Sequence, residues 1–213
     1  MKPDINSIEY KTAISVNQMR KSDKYTIDNF TGSKELMLRA AKGIFGSFVW
    51  KDKKTAIVCG SGNNAGDGYA LACLLADYGN TATLFRISEK FSHDGKYYYD
   101  KALLKGTKDV LFSDTTNLNE FDVIVDCIFG TGFDGTPKGM AAKAIDKINS
   151  SGAYVISADI NSGLNGDTGK AEMAVKSDLT VSIGFYKKGL FTGDAPKYIK
   201  DMVNVDIGIV LVK

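Results

Sequence analysis

The residues best suited to chemistry fall in three short polar stretches, each following an apolar run. The first is Gly60-Ser61-Gly62-Asn63-Asn64-Ala65-Gly66-Asp67-Gly68, after the run at 56–59 and ahead of an apolar run at helical spacing, 69–78. The second, Gly130-Thr131-Gly132-Phe133-Asp134-Gly135-Thr136, follows the run at 123–129, and the third, Asp159-Ile160-Asn161-Ser162-Gly163, follows 154–158. Glycine lets a backbone approach a ligand closely, and each stretch adds a carboxylate and small oxygen donors. A strand, a glycine-rich turn and a helix start make an anion cradle, because the first N–H groups of a helix and its dipole point at the ligand. Three such loops together mark a small-molecule site.

Two further pieces of chemistry attach to these loops. Asn64, Asp126 and Ser162 offer only oxygen donors. Converging, they suit a hard cation such as potassium, sodium, magnesium or calcium rather than zinc. The other reading of Asp126 is a buried carboxylate that accepts N–H bonds from its own loop. Asp159 and Lys187 are the best acid/base candidates, since partial burial moves either pKa toward neutrality. Lys187 lies in Gly184-Phe185-Tyr186-Lys187-Lys188-Gly189 after an apolar run, where it can reach the same edge; Lys188 is expected in solvent.

Other patterns carry less. Gly60-x-Gly62-x-x-Ala65 fits the dinucleotide fingerprint literally, but the expected acidic residue closing the second strand is replaced by Arg86. No Gly-Lys-Ser/Thr ends the loop, so it is not a P-loop. Tyr97 and Lys101 are spaced as a dehydrogenase pair yet read as an i, i+4 surface pair. His93 beside Asp94 reads as a solvated or capping residue, Asp122 as a solvated strand entry, and Cys59 and Cys127 as buried strand thiols. One histidine cannot make a multi-histidine metal site.

The elements that must position these loops alternate. Strand-like runs at 55–59, 81–86, 110–112, 123–129, 153–158, 179–183 and 202–206 are separated by helix-like stretches at 69–78, 94–105 and 139–150, each stopped by glycine. Continuously apolar strands alternating with helices predict a parallel sheet covered on both faces, whose ligands collect outside the strands' carboxyl ends at the switch point. Ahead of the first strand, residues 1–14 read as a polar lead-in. Ser15 and Gln18 form a capping-box pattern opening one helix, and Met37, Ala40, Ala41, Ile44 and Phe45 mark a second. These two helices are expected to cover the sheet, with a dimer surface as the alternative. No repeat or linker interrupts the chain, so residues 1–213 form one α/β domain.

Composition agrees with an ordinary globular chain of 213 residues, 44% apolar and 24% charged. Twenty-seven basic against 25 acidic side chains, a net charge of +2, argue against a nucleic-acid partner or an anionic membrane. No apolar run reaches the roughly 20 residues of a membrane span, and the N-terminus is too polar for a signal peptide. Three widely spaced cysteines in apolar runs read as reduced thiols and predict a cytoplasmic protein.

At the same loops the chain resembles the NAD(P)H-hydrate epimerase family, the YjeF N-terminal domain. The resemblance is carried by GSGNNAGDG at 60–68, VDCIFGTGFDG at 125–135, ADINSG at 158–163 and DLTVSIGFYKKGL at 178–190, with QMRKSDKYTID and LMLRAAKGI matching the N-terminal helices. It implies a three-layer αβα Rossmann-like fold with a mainly parallel sheet, usually dimeric, binding NADHX and NADPHX. These cofactors are hydrated at C6 of the nicotinamide ring, and the family interconverts their R and S epimers for a partner dehydratase to repair. By position it implies substrate contacts at Asn63, Asn64, Ala65, Gly66 and Asp67, at Gly130, Thr131, Gly132, Phe133, Asp134, Gly135 and Thr136, and at Asp159. It also implies a potassium ion on Asn64, Asp126 and Ser162, and Lys187 matches a lysine of the family pattern; for the proton shuttle Asp159 is the first candidate and Lys187 the second. The chain departs from the family pattern at Ala65, at Asn161, where proline is common, and at Phe185-Tyr186, which replaces Ala-Pro. A dinucleotide-dependent dehydrogenase and a non-catalytic nucleotide-binding scaffold are the alternative classes.

Overall fold

The computed structural model describes residues 1–212. Seven strands form one sheet: β1 (Thr55–Cys59), β2 (Ala82–Arg86), β3 (Lys108–Leu111), β4 (Val123–Cys127), β5 (Tyr154–Ala158), β6 (Leu179–Ile183) and β7 (Met202–Val205). Their order is β3-β2-β1-β4-β5-β6-β7, and all six pairings are parallel. The order reverses between β1 and β4, so the switch point lies where Cys59 faces Cys127 in register. Helices α2 (Val16–Asn29), α3 (Ser33–Gly46), α4 (Asn63–Asp77) and α5 (His93–Leu104) cover one face, and α6 (Gly139–Asn149) covers the other. Along β1 the side chains alternate accordingly: Ile57 and Cys59 join the first core, Ala56 and Val58 the second. With packing on both sides, every residue of β1, β4 and β6 is buried, which is why these strands are mostly apolar; their polar residues Thr55, Asp126, Thr180 and Ser182 are buried as well.

The two helices preceding β1 do cover the sheet. Leu36, Met37, Ala40, Ala41 and Ile44 of α3 are buried against α4, and Ser15 caps α2 by accepting the Gln18 N–H at 3.1 Å. Three details differ from expectation. The lead-in contains a short helix, α1 (Ile8–Thr12), and Ile14 bridges to Lys187, so this segment is tied to the site. The third strand begins two residues early, at Lys108. Most consequentially, α4 starts at Asn63 rather than Tyr69, so the second half of the first glycine stretch is helix and not loop. Among the described residues no helix is long and apolar enough to cross a membrane.

Candidate active site

A cavity of about 550 Å³ opens at the carboxyl ends of β1, β4 and β5, beneath α2 and α3. Its polar lining comes from Arg20 and Asp23 on α2, Asn63, Asn64 and Asp67 on α4, the Gly130–Phe133 turn, and Asp159. The volume suits a small organic ligand. A depression of about 670 Å³ near Tyr154, Lys176 and Tyr198 lies at the opposite, amino end of the strands. There Lys197 and Lys200 are already paired with Asp194 and Asp178, so it offers little free chemistry.

Close backbone approach builds the mouth of the cavity. A Cβ on Gly60 would stand 2.0 Å from the Ile128 carbonyl oxygen, so only glycine lets β1 leave the sheet beside β4. Gly62 caps α4 without a side-chain bond, leaving the first helical N–H groups to a ligand. Gly130 sits between Asn64 and Asp159, where an added Cβ would touch both at 3.3 Å. The three polar stretches therefore meet at one point.

Asp159 follows β5 directly and adopts φ +66°, a left-handed conformation rare for a side-chain-bearing residue. Its carboxylate accepts the Thr131 N–H at 3.2 Å and is ion-paired with Lys187. Lys187 is fully buried, and its ammonium also donates to the Ile183 carbonyl at 2.8 Å and toward Ser182 Oγ at 3.4 Å. It stands behind Asp159 and does not line the cavity. Lys188 is in solvent, as expected.

Two more carboxyls share this floor. Burial raises Asp23 to about 6, with the charge of Asp159 adding to the rise and Lys187 opposing it. Asp67 shows some surface as a residue, but burial of its carboxyl drives its pKa well above the ordinary range, helped by Asp159 and Asp23. Asp94, at the rim, is instead lowered, chiefly by the Ser33 hydroxyl. Phe129 and Phe133 stack at 4.2 Å between ring centroids and present a flat aromatic wall.

Asp126 and Ser162 bond directly, and Asn64 joins them through the Phe129 carbonyl. Asp126 is fully buried and accepts from Ser157 Oγ (2.9 Å), Ser162 N (2.9 Å), Ser162 Oγ (2.5 Å) and Ile128 N (3.2 Å). Burial still raises its pKa against the pull of these bonds. Asn64 Nδ2 donates to the Phe129 carbonyl at 2.8 Å, which also accepts from Ser162 Oγ at 3.3 Å. Asn64 Oδ1 is left without a partner, one of two such buried side-chain atoms among the described residues; the other is the Tyr69 hydroxyl. The donor set has one carboxylate beside amide, hydroxyl and carbonyl oxygens, which fits a hard cation of low charge. No group of three His, Cys, Asp or Glu side chains among the described residues could hold a metal.

Not every residue in the polar stretches reaches the cavity. Ala65 and Gly66 lie inside α4, Gly66 packing on Met37 and Gly95. Asp134 accepts from Asn165 at 2.8 Å and Thr136 donates to Glu172 at 2.9 Å; with Gly135 they lie outside the lining. Arg20, Asp23 and Phe129 are among the lining residues that sequence reasoning passed over. Asp23 is four residues after buried Met19, and that spacing on an amphipathic helix was the available signal. Arg86 is turned away, held by Asp109 through two bonds of 2.7 Å. Tyr97 and Lys101 form a surface pair, with the ammonium 4.4 Å from the ring.

A family model described as YjeF-related protein N-terminus matches residues 33–189. Similar curated proteins include an NAD(P)H-hydrate epimerase of Limosilactobacillus fermentum, 33% identical over 91% of this chain and 96% of that protein. Another of the same name, from Anaerococcus prevotii, is 36% identical over 90% and 92%. A bifunctional NAD(P)H-hydrate repair enzyme of Coxiella burnetii is 30% identical, and the match spans 90% of this chain but 40% of that longer protein. The crystal structure of yeast ynu0 shares the fold, with a TM-score of 0.72 at 20% identity, covering 88% of this chain and 86% of that one. By the extent of the family match and the identity of these relatives, the chain belongs to the YjeF-related N-terminal family.

Proposed function

We propose that this protein is an isomerase that interconverts the R and S epimers at C6 of hydrated NADH and NADPH. The observation that carries the reading is the Asp159–Lys187 ion pair on the floor of a cavity formed by two glycine-rich stretches across the switch point. The open N-terminus of α4 and the Gly130–Phe133 turn would take the pyrophosphate and ribose, and the Phe129–Phe133 wall would take a ring. Burial favours the protonated form of Asp67, which suits it to donate a hydrogen bond to the ligand. Inverting C6 requires a bond to that carbon to break and reform, with a proton moving each way. Asp159 is the proton acceptor. Lys187, with its N–H groups directed at Asp159 and its neighbours, acts through that carboxylate by holding it in place.

A potassium ion is the second part of the proposal, supported by the buried, unpartnered amide oxygen of Asn64, whose amide nitrogen shares the Phe129 carbonyl with Ser162 Oγ. Bound there it supplies a fixed positive charge that holds the loops after β4 and β5. The reading extends to a dehydratase that consumes the S form, to pairing with a second copy of the chain, and to a cytoplasmic setting, consistent with three buried free thiols.

The test is direct. R-NADHX is incubated with the purified protein, and the S epimer is followed against the spontaneous rate. Acceleration supports the isomerase. Nucleotide bound without acceleration leaves a binding scaffold, and reduction of a carbonyl by NAD(P)H makes the protein a dehydrogenase.

A further inference from the structure

Epimerisation at a carbon bearing both a hydroxyl and a ring nitrogen needs two proton-handling groups in opposite states. If C6–N1 breaks, the acceptor takes the hydroxyl proton as the carbonyl forms, and N1 keeps the bonding pair and receives a proton from the donor. Reclosure on the other face reverses both transfers. If C6–O breaks instead, the donor protonates the leaving hydroxyl, the N1 lone pair fills C6, and the acceptor takes a proton from the water that adds opposite. Either way a donor is required beside Asp159. Lys187 is not that donor: it is fully buried and its N–H groups are spent on Asp159, Ile183 and Ser182.

Resting on the isomerase reading, we propose that Asp23 is the catalytic proton donor, supplied by α2 while Asp159 comes from the strand edge. Asp23 lines the cavity, is half-buried, and has no hydrogen-bond or ion-pair partner among the described residues, so its carboxyl is free for a ligand. The groups acting on it are Asp159 after β5, Lys187 after β6 and Asp67 on α4, with Arg20 on its own helix and Asp94 on α5 lining the same cavity. Three carboxyls on the floor thus face one buried ammonium, and the cluster retains protons near neutrality. Burial raises both Asp23 and Asp67, and Asp23, the half-buried one of the two, carries its carboxyl on α2 across the cavity from Asp159.

The helix is fixed from behind, as a positioned acid requires. Ser22 and Thr26, flanking Asp23, are buried and accept the Val212 and Val210 N–H groups at 3.0 and 2.9 Å. Gln18 Nε2 donates to the Val212 carbonyl at 3.1 Å, and Asp167 accepts the Val16 N–H at 2.7 Å. The chain's C-terminal segment therefore clamps the outer face of α2 while Asp23 faces the cavity.

The test uses the full chain, R-NADHX as substrate and Asp23→Asn and Asp23→Glu. Asp23→Asn should lower kcat on the order of 100-fold with KM little changed, and Asp23→Glu should restore part of the loss. The alkaline limb of the wild-type kcat/KM profile, with a midpoint near 6, should vanish in Asp23→Asn. NADPH binding by calorimetry should be unchanged, and the melting temperature at pH 7 should equal or exceed that of the wild type. A wild-type kcat in Asp23→Asn, a loss confined to KM, or a large fall in melting temperature would overturn the role of Asp23. A wild-type protein that accelerates nothing would instead sink the isomerase reading, and the donor with it.

Discussion

Among the described residues Asp159 supplies the only carboxylate bonded to the ammonium of fully buried Lys187, and it does so from a backbone held at φ +66°. Strain and charge compensation thus sit in one residue, a combination that marks functional positions. Asp159→Ala should abolish epimerisation and also cost about 3–5 kcal/mol in urea unfolding, because it strands a buried charge. Asp159→Gly should be less destabilising than Asp159→Ala by about 1 kcal/mol, since glycine accepts positive φ. Adding Lys187→Met to Asp159→Ala should recover stability without activity. A near-neutral Asp159→Ala would contradict the buried pair.

The cation proposal predicts a salt-specific stability. Exchanging potassium for tetramethylammonium at equal ionic strength should lower the melting temperature. A ligand at a hundredfold excess over its Kd is worth about 2.7 kcal/mol. Asn64→Leu should erase the difference between the two salts. Identical melting curves for the wild type in both would remove the site.

Asp23 also predicts a pH dependence of stability. Its native pKa, about 6, lies above the ordinary 3.8, so the native state holds the proton more tightly than the unfolded chain. The resulting stability is fully present below about 4 and is lost as pH rises through about 6. Asp67 is shifted in the same direction and prolongs the decline. Asp23→Asn should flatten the curve between pH 4 and 6 and exceed wild-type stability at pH 7 by roughly 1–3 kcal/mol. A variant that tracks the wild-type curve would show that Asp23 titrates normally.

Two neighbouring glycines should separate stability from binding. Gly60→Ala places a methyl 2.0 Å from the Ile128 carbonyl and should cost about 2 kcal/mol or more. Gly62→Ala meets nothing within 4 Å, so it should fold normally yet raise KM by crowding the open helix terminus. Equal effects of the two on unfolding would refute the close approach of β1 to β4.

Asn161, which stands where the family commonly has proline, is built into the fold. It is fully buried, donates to the Val175 carbonyl (2.8 Å), Ser177 Oγ (2.9 Å) and the Tyr198 carbonyl (3.2 Å), and accepts from Thr180 Oγ1 at 2.7 Å. Asn161→Ala should cost about 2–4 kcal/mol by orphaning these partners, and Asn161→Pro should do no better. A proline variant as stable as the wild type would make this network dispensable.

The sheet and the location of the site were legible in the chain because the signals are local. Apolar runs of five residues, glycine stops and polar stretches after strands depend only on neighbours, and together they dictate a parallel sheet with its ligands at the switch point. The start of α4 was not legible. Asn63 to Gly68 contains two glycines and no apolar period, and its helical turn packs through Gly66 on Met37 and Gly95, which are distant in sequence.

The sequence by itself therefore determined the fold class and the three polar stretches, and singled out Asp159 and Lys187 as acid/base candidates. Tertiary structure decided where each of them stands. Asp159 faces the cavity while Lys187, 28 residues later, stands behind it, and Asp134 to Thr136 turn outward though they share a stretch with Gly130. Asp23 enters from a helix more than a hundred residues away along the chain. Burial and the sum of nearby charges set a carboxyl's proton affinity, and both are properties of the packed molecule, invisible to any local pattern.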